Sequence, residues 1–215
     1  MFVDDLKAEV DQALKKLDEI PVVEPGTDHE AGVIELLKMA LKNEIEASQI
    51  AAEWMLTTPE MDCKLGLARQ CGDEAKHYRL LEKRLNELGF DTASFSPIAG
   101  GYSPLYQYLQ NLETTVERMA AGPFAREAIA VKRNYQFAAY LKASGDQASA
   151  AIYIDTVQPD EEWHHRFGFE MLKKYAVAAA LQDQARRATL ATLALADELR
   201  EAAMARVGTC AIPGC

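Results

Sequence analysis

The sequence lacks long hydrophobic runs, a surplus of basic residues and a dense set of cysteines. No run of about 18 apolar residues occurs, so we expect no segment that spans a bilayer. The 33 acidic residues outnumber the 23 basic ones, and the net charge of −10 argues against a protein that binds nucleic acid or an anionic membrane. Acidic residues stand within the first five positions, where a secretory signal would be basic, so we expect a cytoplasmic protein.

Four cysteines are too few for a disulfide scaffold. We interpret Cys63 and Cys71 as reduced thiols, with Cys71 on the inner face of its helix. Cys210 and Cys215 bracket the last residues of the chain, and the simplest interpretation is a frayed end with two exposed thiols. A disulfide or redox pair is the alternative, and a metal site is disfavoured because no histidine accompanies them. The role of this pair stays open.

The alternating pattern of a β-strand is also missing, and helical periodicity replaces it along the chain. We predict an all-α fold in one domain, residues 1–215, with a core over about residues 28–175. The predicted helices span about 3–19, 28–57, 62–88, 104–143 with an interruption at Gly122-Pro123, the stretch from the turn 144–146 to Tyr175, and 176–206. A crossing segment, residues 90–103, separates the second and third core helices.

A segment of the form Asp-Glu-x-x-His occurs twice. It stands at Asp73-Glu74-Ala75-Lys76-His77 and again at Asp160-Glu161-Glu162-Trp163-His164. Three-residue spacing puts Glu and His on one face of a helix, about 5–6 Å apart, as two ligands of one metal ion. A further inward-facing Glu precedes each segment, at Glu44 and Glu127. Four carboxylates and two imidazoles suit a pair of iron or manganese ions, whereas unpaired buried carboxylates would be prohibitive.

Two details of this predicted site need a decision. Glu162 and His165 form an overlapping pair, but we choose Glu161 and His164 because they share a face with Ile154, Val157, Gly168 and Met171. Glu162 and His165 are then surface or outer-sphere groups. We expect Asp73 and Asp160 each to hydrogen-bond the histidine of the other half-site, the alternative being exposed aspartates, and we place Tyr78 near the site as well.

Helix breakers lie beside two of the predicted ligands. Pro123 and Pro159 each stand within four residues of a ligand Glu, and Pro159 should kink its helix or mark a bulge. Such local breaks are often found at functional sites.

The ligand set Glu44, Glu74-x-x-His77, Glu127 and Glu161-x-x-His164 resembles that of ferritin-like di-iron and di-manganese carboxylate proteins. The resemblance covers about residues 30–175, and the string Asp160–Gly168 resembles the rubrerythrin and aldehyde-deformylating oxygenase branch more than it resembles cage ferritins. It implies a ferritin-like four-helix bundle with a long crossover, plus extra N- and C-terminal helices. The implied cofactor is two Fe ions, with Mn or mixed Fe/Mn as alternatives. Glu74 and Glu127 are the candidates to bridge the ions.

Three functions remain open at this point. The first is a di-iron oxidase or oxygenase that activates O2 or peroxide on a small, partly apolar organic substrate, with an external electron donor. The second is a ferroxidase or peroxide scavenger, and the third is a non-catalytic helical bundle. We expect no nucleic-acid or membrane partner. The amphipathic first helix and the Ala-rich last helix favour a homodimer.

Overall fold

The computed structural model describes residues 1–17, 29–209 and 211–214, without the side chains of residues 29–31. All regular structure in these residues is helical, so the all-α prediction is confirmed. The first predicted helix is observed as α1 (Phe2–Leu14) followed by a 3-10 turn (Lys15–Leu17), and its last two predicted residues lie outside the described part. No helix of the described residues is long and apolar enough to cross a membrane.

The remaining helices follow the predicted order. They are α2 (His29–Thr57), α3 (Met61–Glu87), α4 (Pro104–Gln110), α5 (Thr115–Met119), α6 (Glu127–Ala143), α7 (Gln147–Ile152), α8 (Gln158–Tyr175) and α9 (Ala179–Val207), with a 3-10 turn at Thr92–Ser94 in the crossing segment. α2 packs along α3, and α6 packs against α8. The result is a helical bundle with α1 and α9 added to it.

The third predicted core helix is broken at a place that the sequence analysis missed. α4 ends at Gln110, and a new helix starts after Thr114. The Thr114 hydroxyl accepts a hydrogen bond from the backbone N–H of Glu117, whose carboxylate accepts from the backbone N–H of Thr114. This capping box satisfies N–H groups that a helix start leaves unpaired, and therefore favours a new helix here.

The breakers beside the predicted ligands produce π-helical turns rather than interruptions. Residues Ala120–Arg126, which include Gly122-Pro123, form a wholly buried π-helical segment that runs straight into α6. A second π-helical segment, Tyr153–Val157, runs into α8, and Pro159 lies in the first turn of that helix. Pro159 is tolerated there because proline suits the first turn of an α-helix.

Two clusters of buried apolar side chains hold the bundle together. The first includes Ile50, Leu67 and Phe124, and the second includes Leu41 and Leu81. Both α2 and α3 pass from one cluster to the other. The chain positions of the predicted ligands on these helices fall between the two, so the polar residues occupy the middle of the bundle.

The end of the chain is docked, and the expectation of a frayed tail is wrong for residues 211–214. Ala211–Gly214 are buried. The Gly214 N–H donates to Asn134 Oδ1 at 2.8 Å, and Asn43 Nδ2 donates to the Gly214 carbonyl. A Cβ on Gly214 would lie 2.8 Å from Ala130 Cα, so the close approach requires glycine.

The structure describes two of the four cysteines. Cys63 and Cys71 are free thiols, as predicted, and burial raises the pKa of Cys63 to about 12. Cys210 and Cys215 lie outside the described residues, so the proposals for them stay predictions.

Candidate metal centre

Four helices bring the six predicted ligands together in the middle of the bundle. Glu44 comes from α2 and Glu127 is the first residue of α6, while each of α3 and α8 contributes a Glu-x-x-His pair. All six side chains are buried: Glu44, Glu74, His77, Glu127, Glu161 and His164. Helical spacing explains the pairs, because residues three apart share one face.

The six residues form two overlapping groups, each with three carboxylates and one histidine. In each group the donor atoms lie within 4.8 Å of one another, which is close enough to hold one metal ion. One group contains Glu44 and His77, the other contains Glu127 and His164, and both contain Glu74 and Glu161. Glu74 and Glu161 are thus the carboxylates common to the two groups, whereas the sequence analysis chose Glu74 and Glu127 as the candidates to bridge two ions.

Both histidines turn the same ring nitrogen toward the carboxylates. His77 Nδ1 lies 3.2 Å from Glu74 Oε2 and 3.3 Å from Glu44 Oε2. His164 Nδ1 lies 3.1 Å from Glu161 Oε2 and 3.5 Å from Glu74 Oε1. Glu74 thus contacts both imidazoles and stands at the centre of the cluster.

The opposite ring nitrogens face aspartates across the half-sites. His77 Nε2 lies 3.1 Å from Asp160 Oδ2, and His164 Nε2 lies 3.3 Å from Asp73 Oδ2. These are the hydrogen bonds that the sequence analysis expected between the two repeats. An Nε2–H donated to aspartate leaves Nδ1 as the lone-pair nitrogen, which is the form that binds a metal ion.

Surface cations hold these aspartates in place. Lys76 Nζ donates to Asp160 at 2.6 Å, and Arg69 Nε donates to Asp73 at 3.2 Å. Burial raises the pKa of Asp73, but its hydrogen bonds to His164 and Arg69 outweigh that effect and lower the pKa well below its usual value. Asp73 is therefore a stable anionic acceptor for the imidazole.

Burial and neighbouring charges shift the pKa values of the side chains in the cluster. Burial raises the pKa of Glu44 to about 8, and burial together with the Glu161 charge raises the pKa of Glu127 well above its usual value. Burial opposes the charged form of His77 and His164, but hydrogen bonds to carboxylates raise their pKa values to about 12 and about 9. Burial acts against Glu74 ionisation as well, and the two histidines outweigh it and lower its pKa to about 2.

The donor set fits a pair of divalent ions. Glu74 Oε1 is buried and accepts no hydrogen bond within the described residues, although a buried carboxylate oxygen without a partner is costly. With both histidines neutral, the four ionised carboxylates carry four negative charges. Two divalent ions neutralise these charges. Oxygen-rich ligation with imidazole suits Fe or Mn.

Glu162 and His165, the overlapping pair on α8, do not belong to the cluster. Glu162 is exposed and accepts a hydrogen bond from the Tyr135 hydroxyl at 2.9 Å. His165 Nδ1 donates to the Phe124 carbonyl at 2.7 Å, and burial lowers the pKa of this imidazole. His165 therefore ties α8 to the first π-helical segment.

Three further polar residues surround the cluster without having been predicted there. Gln70 Nε2 donates to Glu127 Oε1 at 2.6 Å, and Arg126 Nη1 lies 3.4 Å from the same oxygen. The Tyr153 hydroxyl is buried without a hydrogen-bond partner among the described residues, and burial, with Glu44 and Glu161, raises its pKa. The position of Gln70, four residues before Glu74 and so on the same helix face, was the available signal for it.

Tyr78 behaves differently from the prediction. It is half-buried against the second apolar cluster, and within the described residues it makes no hydrogen bond to the six predicted ligands. Tyr153, rather than Tyr78, is the tyrosine that responds to the charge of the carboxylates.

Comparison with known protein families gives a match over most of the chain. A family model described as "Protein of unknown function (DUF455)" aligns with residues 9–202, which is most of the chain. No curated protein and no solved structure matches the sequence.

Proposed function

This chain belongs to the DUF455 family of proteins of unknown function, and we propose from its buried cluster that it is a non-haem dinuclear metal oxidoreductase. The observation that carries the proposal is the pair of overlapping ligand groups that share Glu74 and Glu161. Two isolated metal sites would not need shared carboxylates. The cofactor we propose is two Fe ions, with Mn or a mixed pair as the alternative.

The ligand pattern also supports membership of the ferritin-like group of carboxylate bundles. In that group two helices each supply one Glu and two others each supply Glu-x-x-His. Here α2 and α6 supply Glu44 and Glu127, while α3 and α8 supply the two Glu-x-x-His pairs. When bound, an iron pair supplies the electrons that O2 or peroxide chemistry requires.

The residues around the cluster have three tasks in such chemistry. Burial of all six ligands excludes bulk water, so charge interactions inside are strengthened. Asp160 and Asp73 hold the histidines in the tautomer that leaves Nδ1 free. Gln70 holds the Glu127 carboxylate in position by a hydrogen bond from Nε2 to Oε1 at 2.6 Å.

An organic substrate is favoured over iron as the substrate by a large cavity. It has a volume of about 530 Å³, within the size range of small-molecule sites, and Asn43 and Arg126 in its wall directly precede two predicted ligands. We therefore propose an oxidase or oxygenase. A ferroxidase or peroxide scavenger is the alternative that the experiment below distinguishes.

The test is an anaerobic Fe(II) reconstitution followed by addition of O2 in an optical assay, with and without candidate organic substrates. We expect O2 consumption that depends on bound iron and an oxidised organic product. Glu161→Ala should abolish the reaction, whereas Glu162→Ala, which alters an exposed neighbour, should retain it. Steady turnover of free Fe(II) without an organic product would instead support the ferroxidase, and no O2 consumption would contradict both.

A further inference from the structure

The cavity lies between the bundle and the last helix. Its wall is formed by α2, the crossing segment with α4, the last residue of the first π-helical segment (Arg126), Arg133 of α6, α9 and the docked residues Ile212 and Pro213. None of the six predicted metal ligands lines it. The cavity therefore lies beside the cluster, and its wall includes Asn43 and Arg126, the chain neighbours of Glu44 and Glu127.

Cationic side chains dominate the charged groups of its wall. Lys42, Arg126, Arg133, Arg200 and Arg206 line the cavity, and Glu46 is the carboxylate that the described part of the chain contributes to its wall. Glu46 is already engaged, because it pairs with Lys42 at 3.0 Å and accepts hydrogen bonds from the Ser103 backbone N–H and hydroxyl.

Two of these cations have donors that suit an incoming anion. Arg206 is exposed and forms no ion pair with any residue of the described ranges. Arg200 pairs with Asp197 through Nε and Nη2 and lies 3.8 Å from Glu201 Oε1 through Nη2, but its Nη1 donates to the Met204 thioether sulfur at 2.9 Å. A thioether is a weak acceptor, so a carboxylate or phosphate oxygen would replace it favourably.

The rest of the wall is largely apolar. Ile50, Leu109, Leu199 and Ile212 line it together with the stacked rings of Tyr102 and Tyr106. A fully charged ligand such as inorganic phosphate alone would leave this surface without a partner. The wall therefore suits a ligand with both an anionic group and an apolar body.

Arg126 separates the cavity from the metal cluster. Its guanidinium is buried, with Nη1 at 3.4 Å from Glu127 Oε1 and Nη2 donating to the Asn43 carbonyl at 3.1 Å. Arg206 is exposed at the rim, whereas Arg126 lies at the inner wall. A ligand anchored at the rim would extend its apolar body toward the elements that carry Glu44 and Glu127.

We propose that this cavity binds an organic anion with an apolar body, whose carboxylate or phosphate group is held by Arg200 and Arg206. As a statement about the substrate class, this inference rests on the proposed dinuclear oxidoreductase. As a statement about binding, it stands on the cavity alone. The two parts can therefore fail separately.

The experiment is isothermal titration of the full-length, metal-loaded protein with octanoate, octyl phosphate, octanol and inorganic phosphate. We expect one of the two amphipathic anions to bind at one site per chain, and its identity reports a carboxylate or a phosphate ligand. Octanol, which lacks the charge, and inorganic phosphate, which lacks the apolar body, should each bind at least about tenfold more weakly.

Arg206→Glu and Arg79→Glu form a matched pair of variants. Both residues are exposed and both changes shift the net charge equally, but Arg79 lies on α3 outside the cavity. We expect Arg206→Glu to weaken binding of the anion about tenfold or more and Arg79→Glu to leave it unchanged. Equal effects of the two variants, binding of octanol as tight as that of the anions, or no binding of either anion would overturn the proposal.

Metal content measured on the same samples separates the two proposals. Anion binding by a protein that takes up no metal would leave the cavity assignment intact and contradict the dinuclear centre. Two bound metal ions without anion binding would support the dinuclear centre and contradict the cavity assignment.

Discussion

Glu74 and Glu161 are the residues on which both halves of the buried cluster depend. Each belongs to both ligand groups, whereas Glu44 and Glu127 each belong to one. Glu74 in addition lies within 3.5 Å of the Nδ1 atoms of His77 and His164. Removal of a shared carboxylate should therefore affect both metal ions, and removal of an unshared one should affect a single ion.

Glu127→Ala tests the unshared position. We expect the variant to lose about one metal equivalent per chain while it retains its helical circular dichroism, because alanine favours the helix. Metal analysis after reconstitution with Fe(II) provides the measurement. Glu162→Ala is the control and should keep both equivalents, since Glu162 is exposed. Retention of two equivalents in Glu127→Ala would remove this residue from the ligand set.

Metal binding should release protons. Without metal, the raised pKa values of His77 and His164, about 12 and about 9, keep both imidazoles protonated at neutral pH. A metal ligand must be the neutral imidazole, so bound protons compete with the metal and affinity falls as the pH is lowered. Titration with Mn(II) in two buffers of different ionisation enthalpy should show about one proton or more released per ion. Heats that do not depend on the buffer would contradict this expectation.

The sequence was sufficient to select the inward-facing residues, because helical spacing specifies which side chains share a face. The same test separated Glu161 from Glu162, which the structure places inside and outside the bundle. It could not show which carboxylate lies close to both histidines, or that the Tyr153 hydroxyl lies near Glu44 and Glu161, because these depend on distances between helices. The role of Tyr78 near the site stays a prediction.

At the scale of the elements, the two helices of the second half that carry predicted ligands, α6 and α8, each begin directly after a π-helical segment. The first π-helical segment, Ala120–Arg126, packs against α8 at Gly168, where an added Cβ would lie 2.4 Å from the Phe124 nitrogen. His165 hydrogen-bonds the carbonyl of the same Phe124. Contact between α8 and this segment thus fixes the relative positions of Glu127 and Glu161.

Gly168→Ala and Gly72→Ala test this packing. Gly168→Ala should destabilise the protein by about 1–3 kcal/mol, because the new methyl group must displace backbone. Gly72 is also inside a helix, but an added Cβ there meets nothing within 4 Å, so Gly72→Ala should stabilise by about 0.5–1 kcal/mol. Urea unfolding measures both, and metal content should fall only for Gly168→Ala. Equal stability changes would show that the close packing is not required.

Breakers in the sequence indicated where these elements depart from regular helix, but not how. Gly122-Pro123 was expected to interrupt its helix, and a π-helical segment continues the backbone there instead. Pro159 was expected to kink its helix or mark a bulge, and a π-helical segment ends at Val157, just before it. The break before Thr114 was missed, although its capping box is visible as Thr114 and Glu117. Prolines and capping residues favour a break in the helix at positions where the apolar periodicity favours a continuous helix. Which of the two forms depends on how the segment packs against the rest of the protein.

At the scale of the whole molecule, the structure differs most from the prediction at residues 211–214, which dock against α2 and α6 instead of forming a frayed end. These contacts join Gly214 to Asn43 and Asn134, which are distant in sequence. Periodicity describes the faces of single helices and carries no information about such contacts. The all-α bundle was predictable from local patterns, whereas the cavity between α9 and the core was not. The single domain and the homodimer stay predictions.

The central claim is that one chain holds two metal ions through six shared and unshared ligands. The most direct measurement is the metal content per chain after anaerobic Fe(II) loading and removal of free metal, for the natural sequence and for Glu74→Ala/Glu161→Ala. We predict two equivalents for the former and almost none for the double variant, because both groups lose two of their carboxylates. Fewer than two tightly held ions in the natural sequence, or unchanged metal in the double variant, would contradict the account.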